Sequence, residues 1–350
     1  MSRMNNDFFS KIKFTFKKQK VVVITGSTRK NTFNAVNQVL RSRLKIGEDI
    51  LIFEAEDKKI SDYEFFLKNS KKPVLVVTNI ADIPSNSDFF TGERELIENT
   101  RNMVKVLPKN VKLILNFDDE TSREIGDSLK LKILTFGLQN RANLNASDFK
   151  INGGTNFKIN YKGSTVPIWL KKTFGKEQVY SVLAASCVGA IFDLNLIEVS
   201  EALKNYQPLP GKMSLIRGIK NSWILDDSES ASIFSMIEAI EILGRLREYN
   251  RKIAVLGDII GIGKYTIDAH EAIGERIVKN ADLLFAFGQR AKFIAQGAMQ
   301  KGMAQEKVFE FNTINEGKLK LQDKIKENDI ILIDGSTEMK MNKIVKEIKL

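Results

Sequence analysis

Four consecutive apolar residues, Val21–Ile24, run into a small polar turn, Thr25-Gly26-Ser27, and then into a stretch with helical spacing. Further short apolar runs follow, and the spacing predicts strands at Val21–Thr25, Ile50–Glu54, Val74–Thr78, Lys112–Asn116 and Lys132–Phe136. Helix-like segments, among them Asn31–Lys45 and Glu93–Leu107, lie between them. Strands written as unbroken Val/Ile/Leu runs and separated by helices belong to a parallel sheet covered on both faces. The predicted class is α/β.

The rhythm breaks at Lys150–Leu170. Phe157, Ile159 and Tyr161 alternate with polar residues, and Lys162-Gly163-Ser164 leads into Val166–Leu170, which predicts an antiparallel hairpin. A helical stretch follows at Val179–Asp193. Asn205–Lys212 then places two prolines and a glycine in one short loop, the best domain boundary in the chain. Beyond it the alternation resumes. Strands are predicted at Ser222–Leu225, Lys252–Leu256, Leu283–Phe287, Val308–Phe311 and Ile330–Ile333, with helices at Ile233–Tyr249, His270–Asn280, Ala291–Lys301 and Met339–Ile348. The expected organisation is a basic lead over 1–20, one α/β domain over 21–208 and a second over 209–350.

Composition narrows the class further. The 350 residues, 43% hydrophobic and 28% charged, suit two domains with their own cores, and no apolar run reaches the roughly 20 residues of a bilayer span. The first twenty residues lack the apolar core of a secretory signal. A single Cys187 excludes an internal disulfide and fits a reducing cytoplasm, and with a single histidine, His270, it argues against a Cys/His zinc site. The net charge of +11 favours anionic partners. No nucleic-acid-binding motif accompanies that charge, so nucleic acid is not the expected partner.

The chemistry-bearing stretch is Val21–Asn34. A buried strand entering a Gly/Ser turn at a helix N-terminus is a phosphate cradle, because free backbone N–H groups and the helix dipole both face the anion. Gly26, Ser27, Lys30, Asn31 and Thr32 are the candidate ligand contacts. A standard nucleotide loop has a glycine before the lysine and a Ser/Thr after it. Here those positions hold Arg29 and Asn31. Lys30 could equally be a solvated helix-start lysine.

Several motifs together resemble the Mur ligases. They are Pro210-Gly211-Lys212-Met213, Asp226-Asp227-Ser228, Val255-Leu256-Gly257-Asp258 with His270 after it, and the tail IILIDGSTEMKM. In the first half VVVITGSTRKNTF, ILIFEAE, VTNIADI and LPKNVKLILNFDD keep the family's order. The resemblance covers about residues 19–350 and is strongest to the branch that joins D-alanyl-D-alanine to a UDP-N-acetylmuramoyl tripeptide. It implies a P-loop-type parallel-sheet ATPase domain followed by a Rossmann-like C-terminal domain. It further implies ATP and Mg2+ as cofactors, an acyl-phosphate mechanism, cytoplasmic peptidoglycan precursor synthesis, and UDP-N-acetylmuramoyl peptide, D-Ala-D-Ala or other Mur enzymes as partners.

Carried over residue by residue, the resemblance makes Lys212 and Asp227 nucleotide contacts and Glu54 a metal ligand. Lys212 could instead belong to the linker, Asp227 could close a turn or cap a helix, and Glu54 could be a strand-end carboxylate. The chain also departs from the pattern. Arg29 and Asn31 replace a glycine and a metal-binding hydroxyl, Ala-Asp-Ile-Pro after Ile80 lacks the metal histidine, and Arg101 stands where a lysine is carbamylated. Glu177-Gln178 replaces His-Asn, Asp334 replaces a lysine, and the family's N-terminal UDP-binding domain is not expected. Three functions remain open: a working ligase, a pseudo-ligase that binds nucleotide, precursor or another Mur enzyme, and an anion-binding or nucleic-acid-associated protein driven by net charge.

Overall fold

The protein's computed structural model describes residues 14, 17, 19–55, 63–79, 98, 101, 102, 104, 105, 107–129, 131–229 and 231–350. The expected helix at Glu93–Leu107 and the stretch after Ile80 lie largely or wholly outside these residues. The chain divides into two compact units, the first holding residues up to 150, 156–170 and 176–206, the second 151–155, 171–175 and 207–350.

In the first unit β1 (Lys20–Thr25) lies between β2 (Ile50–Glu54) and β3 (Pro73–Val77), and β4 (Lys112–Asn116) and β5 (Lys132–Gly137) extend the sheet beyond β3. All these pairings are parallel, with Val22 opposite Ile52 and Val74. The apolar runs are continuous because both faces are buried. Val22 and Ile24 enter one core with α1 (Arg29–Leu40) and α4 (Lys176–Ile191), whereas Val21 and Val23 enter another, where Phe14 packs edge-on against Phe66 of α2 (Glu64–Asn69) at 5.1 Å. Each such side chain withdrawn from water contributes about 1.5–3 kcal/mol before chain entropy is subtracted.

The sheet runs on through β6 (Leu144–Ile151), β7 (Gly154–Tyr161) and β8 (Ser164–Lys171), eight strands in the order β2-β1-β3-β4-β5-β6-β7-β8. Where one hairpin is expected there are two, since β6 precedes it. Lys162 (φ 49°) and Gly163 (φ 78°) make the tight turn between β7 and β8. Pro167 is tolerated because β8 is the terminal strand among the described residues. Two further helices among the described residues are α3 (Glu120–Asp127) and α5 (Leu196–Leu203). They are too short for their periodicity to stand out, and their start signals are side-chain caps, Asp119 on Ser122 N–H and Asn195 on Ile197 and Glu198 N–H.

The second unit has a six-stranded sheet of order β13-β12-β11-β14-β10-β9, from β9 (Ser214–Arg217), β10 (Trp223–Asp227), β11 (Arg251–Gly257), β12 (Leu283–Phe287), β13 (Val308–Phe311) and β14 (Asp329–Asp334). Only β9 runs antiparallel. The helices are α6 (Ile233–Arg245), α7 (Thr266–Ile277), α8 (Ala291–Gln300), α9 (Ile314–Lys324) and α10 (Asn342–Ile348). Helix α6 stops short of the expected Tyr249 because Leu246 leaves helical space (ψ 89°) to bury itself. Helices α7 and α8 touch backbone to backbone: a Cβ on Gly274 would lie 2.1 Å from the Ile294 carbonyl. The parallel strands of this sheet end together, so Asp227 lies opposite Asp334, and Asp334 opposite Leu256.

Candidate functional site

In the first unit the loop after β1 is built by two neighbours. Thr78 N–H and Oγ1 both donate to the Thr25 carbonyl, at 2.9 and 3.1 Å, and Ser27 N–H donates to the Asn79 carbonyl at 2.9 Å. Gly26 is required twice over. Its φ is +102°, and a Cβ would lie 2.4 Å from Thr78 Oγ1 and 2.8 Å from the Asn79 carbonyl. Asn79 is itself fixed by Asn116 at the end of β4, whose amide donates to Asn79 Oδ1 at 2.6 Å.

Helix α1 then begins at Arg29 without a side-chain cap. Thr28 sits at the cap position, but its hydroxyl makes no capping bond and Oγ1 is buried without a hydrogen-bond partner. Arg29 N–H donates to the Gly26 carbonyl at 3.3 Å, and no side chain caps the positive end of the helix dipole. Lys30 and Ser27 are exposed at this end of the helix.

Arg29 does what a glycine could not. Its Nη1 donates to the Gly26 carbonyl at 3.3 Å, and its Nε lies 3.3 Å from Glu54 Oε1 at the end of β2. Both side chains are largely covered, at 21% and 31% exposure. Asn31 and Thr32 turn toward α4: Asn31 Nδ2 donates to Glu177 Oε2 at 3.4 Å and Thr32 Oγ1 to Ser181 Oγ at 3.2 Å. Asn31 is 2% exposed and its Oδ1 has no hydrogen-bond partner. Gln178 accepts from the buried Tyr206 hydroxyl at 2.7 Å, while Arg101 is half-exposed and ion-paired with Glu124 at 3.1 Å.

In the second unit Asp226 and Asp227 hold the turn that precedes β9. Asp226 accepts from Gly211 N–H at 3.1 Å and from Ser228 Oγ at 2.7 Å; Asp227 accepts from Met213 N–H at 3.1 Å. Lys212 lies half-buried between these two stapled residues. Burial raises the Asp226 pKa, opposed by the bonds from Ser228 and Gly211. The cap of α6 is Ser232, accepting from Ser235 N–H, so Asp227 closes a turn and is not that cap.

Asp258, one residue past β11, accepts from Arg290 and Ala291 N–H at 2.9 and 2.7 Å and pairs with the Arg290 guanidinium at 3.5 Å. It thus satisfies the start of α8. His270, fully buried on α7, accepts from Ile259 N–H through Nε2 at 3.1 Å, and its Nδ1 lies 2.6 Å from the Thr266 carbonyl. That pairing requires the neutral Nδ1–H tautomer, and burial lowers its pKa.

Among the described residues no group of three or more His, Cys, Asp or Glu side chains could hold a metal ion. The structure brings Gly26, Ser27, Lys30, Asn31, Thr32 and Glu54 to one loop region of the first unit, and Lys212 and Asp227 to one turn of the second. Sequence reasoning missed the pairing of Arg29 with Glu54, the support from Thr78, Asn79 and Asn116, and the capping by Asp258. The signal for the first was present, an arginine where a turn prefers glycine and a carboxylate one strand away.

Comparison with known proteins now adds the lineage. The model of the Mur ligase middle domain matches residues 7–189, and that of the Mur ligase glutamate ligase domain matches residues 211–337. The chain is 28% identical over 198 residues to the UDP-N-acetylmuramoyl-tripeptide–D-alanyl-D-alanine ligase of Bacillus subtilis, which covers 56% of this chain and 42% of that protein. It is 25% identical over 347 residues to the ligase of the same name from Buchnera aphidicola, covering 95% of this chain and 73% of that one. Among solved structures, the MurF ligase of Thermotoga maritima in complex with ADP superposes with a TM-score of 0.73 at 19% identity, over 97% of this chain and 82% of that one. The matched region is thus under half of the Bacillus relative's length.

Proposed function

The chain belongs to the Mur ligase family, and on that premise we propose that it acts in peptidoglycan precursor synthesis as a nucleotide-binding member that has lost ligase turnover. The observation that carries this reading is the state of the α1 loop. A phosphate cradle survives: an uncapped helix N-terminus, a glycine that only glycine can replace, and an exposed lysine at the first turn. These residues fit the phosphates of ATP. The groups that would drive phosphoryl transfer are otherwise engaged. Phosphoryl transfer is almost entirely positioning and electrostatic stabilisation of the transferred group. Here Glu54 is paired with Arg29 and Thr32 is bonded to Ser181.

The bound species would be ATP or a UDP-N-acetylmuramoyl peptide, with D-Ala-D-Ala or another Mur enzyme as further partners, in the cytoplasm. Purified protein given ATP, UDP-N-acetylmuramoyl tripeptide and D-Ala-D-Ala is expected to release phosphate no faster than a protein-free control. Release that depends on both acceptor substrates would overturn the proposal and leave a working ligase.

A further inference from the structure

We infer that the α1 loop holds the phosphates of its ligand without a divalent cation, the guanidinium of Arg29 supplying the positive charge. This rests on the nucleotide-binding reading above and concerns how that site works.

Magnesium keeps several waters and is held by one or two carboxylates together with substrate phosphates, so it needs a carboxylate free to turn toward it. The described residues of the loop region do not offer one. Glu54 Oε1 is 3.3 Å from Arg29 Nε, so a metal ion there would have to displace or repel a guanidinium that is already seated. Thr32 has its hydroxyl on Ser181 Oγ and is fully buried. Asn31 has a neutral amide where a hydroxyl is expected, with its nitrogen held by Glu177. Among the described residues, what remains beside Glu54 is neutral: Asn31 Oδ1 and Thr28 Oγ1, both buried, and the exposed Ser27 hydroxyl. Magnesium does not fit this donor set.

Arg29, by contrast, is placed to do the electrostatic work of the ion. It begins α1, its Nη1 reaches back to the Gly26 carbonyl, and its Nε is buried without an aligned hydrogen bond. A guanidinium has five N–H donors in a planar fork that matches two oxygens of one phosphate. One hydrogen bond and one ion pair leave most of that fork available. Glu54 holds the guanidinium at rest, and a phosphate competes with it for those donors. Charge-assisted bonds of this kind are about twice as strong as neutral ones, and they add to the field of the helix N-terminus.

The test is a calorimetric titration of the full chain with ATP, once in excess magnesium chloride and once in excess EDTA. The expected affinities agree within about twofold, since no ion is part of the complex. Binding that appears only with magnesium overturns this inference and leaves the nucleotide-binding reading standing. Binding in neither buffer overturns both.

Three variants sharpen the result, each with its fold checked by circular dichroism. Arg29→Gly should lose about tenfold or more in the EDTA buffer, and Arg29→Lys, which keeps the charge without the fork, should recover part of that loss. Glu54→Gln should bind ATP in EDTA at least as tightly as the unaltered chain, because the guanidinium is released toward phosphate. An Arg29→Gly affinity unchanged in EDTA, or a Glu54→Gln protein that binds ATP more weakly, contradicts the role given to Arg29.

Discussion

The two places where parallel strands end in polar residues follow opposite rules. After β1 the chain leaves buried polar atoms unmatched: Thr28 Oγ1 and Asn31 Oδ1 have no hydrogen-bond partner, and Arg29 Nε has an ion pair without an aligned bond. After β10 and β11 the aspartates are consumed by the fold itself, with Asp226 on Gly211 and Ser228, Asp227 on Met213, and Asp258 on Arg290 and Ala291. Buried polar groups are normally satisfied, so a cluster of exceptions needs a reason. A loop that receives an outside ligand supplies one. Asp226, Asp227 and Asp258 need none, because their carboxylates already act as staples and a helix cap.

Asp258→Ala gives the largest expected effect. It strands the part-buried Arg290 N–H and the buried Ala291 N–H at the start of α8 and should cost about 2–3 kcal/mol in urea-induced unfolding. A loss under about 0.5 kcal/mol would mean the aspartate edge is not structural, and the contrast would fall.

Acid is the next lever, and it acts on the second unit through His270. The folded chain holds this imidazole neutral, with its pKa lowered by burial, whereas in the unfolded chain it titrates near 6.5. Below that pH the unfolded state binds the extra proton. Stability is therefore full above about 6.5 and falls with pH beneath it, by at most about 1.4 kcal/mol per pH unit. Unfolding midpoints measured across this range should drop for the wild type and drop less for His270→Gln. Parallel profiles would show that the histidine is not what titrates.

Smallest of all should be Thr28→Val. Removing an unmatched hydroxyl from the α1 loop should change stability by no more than about 0.5 kcal/mol, or raise it. A loss above about 1 kcal/mol would reveal a partner for Thr28 within the fold and erase the difference between the two edges.

Much of the fold was legible from periodicity. Leu283–Phe287 and Val308–Phe311 are strands with the expected ends, because unbroken apolar runs bounded by polar residues carry their own limits. Elements of weak pattern were not. Strand β6, LNASDFKI, has exposed residues at Asp148, Phe149 and Lys150, and β9 is four residues long, so neither announces itself. Helix α9 is rich in lysine and buries only Gly317 and Leu321, too narrow a stripe to read.

At the site, the residue types of the α1 loop were visible and their pairing was not. Gly26 could be singled out as a turn glycine, but its closeness to Thr78 depends on β3 lying beside β1. Likewise Arg29 and Glu54 are 25 positions apart (54 − 29) and meet because β1 and β2 are neighbours in parallel register. Asp227 showed how a motif residue can have a plain structural duty, closing a turn on Met213.

On the function proposed above, the α1 loop is an anion cradle that no longer supports turnover. Lys30 tests it most directly, since it is exposed at the helix start. Isothermal titration of ATP into the wild type and Lys30→Ala should show one site per chain in the wild type and an affinity about tenfold or more weaker in the variant, with unchanged thermal stability. Equal affinities for the two proteins, or no binding by the wild type, would contradict the account.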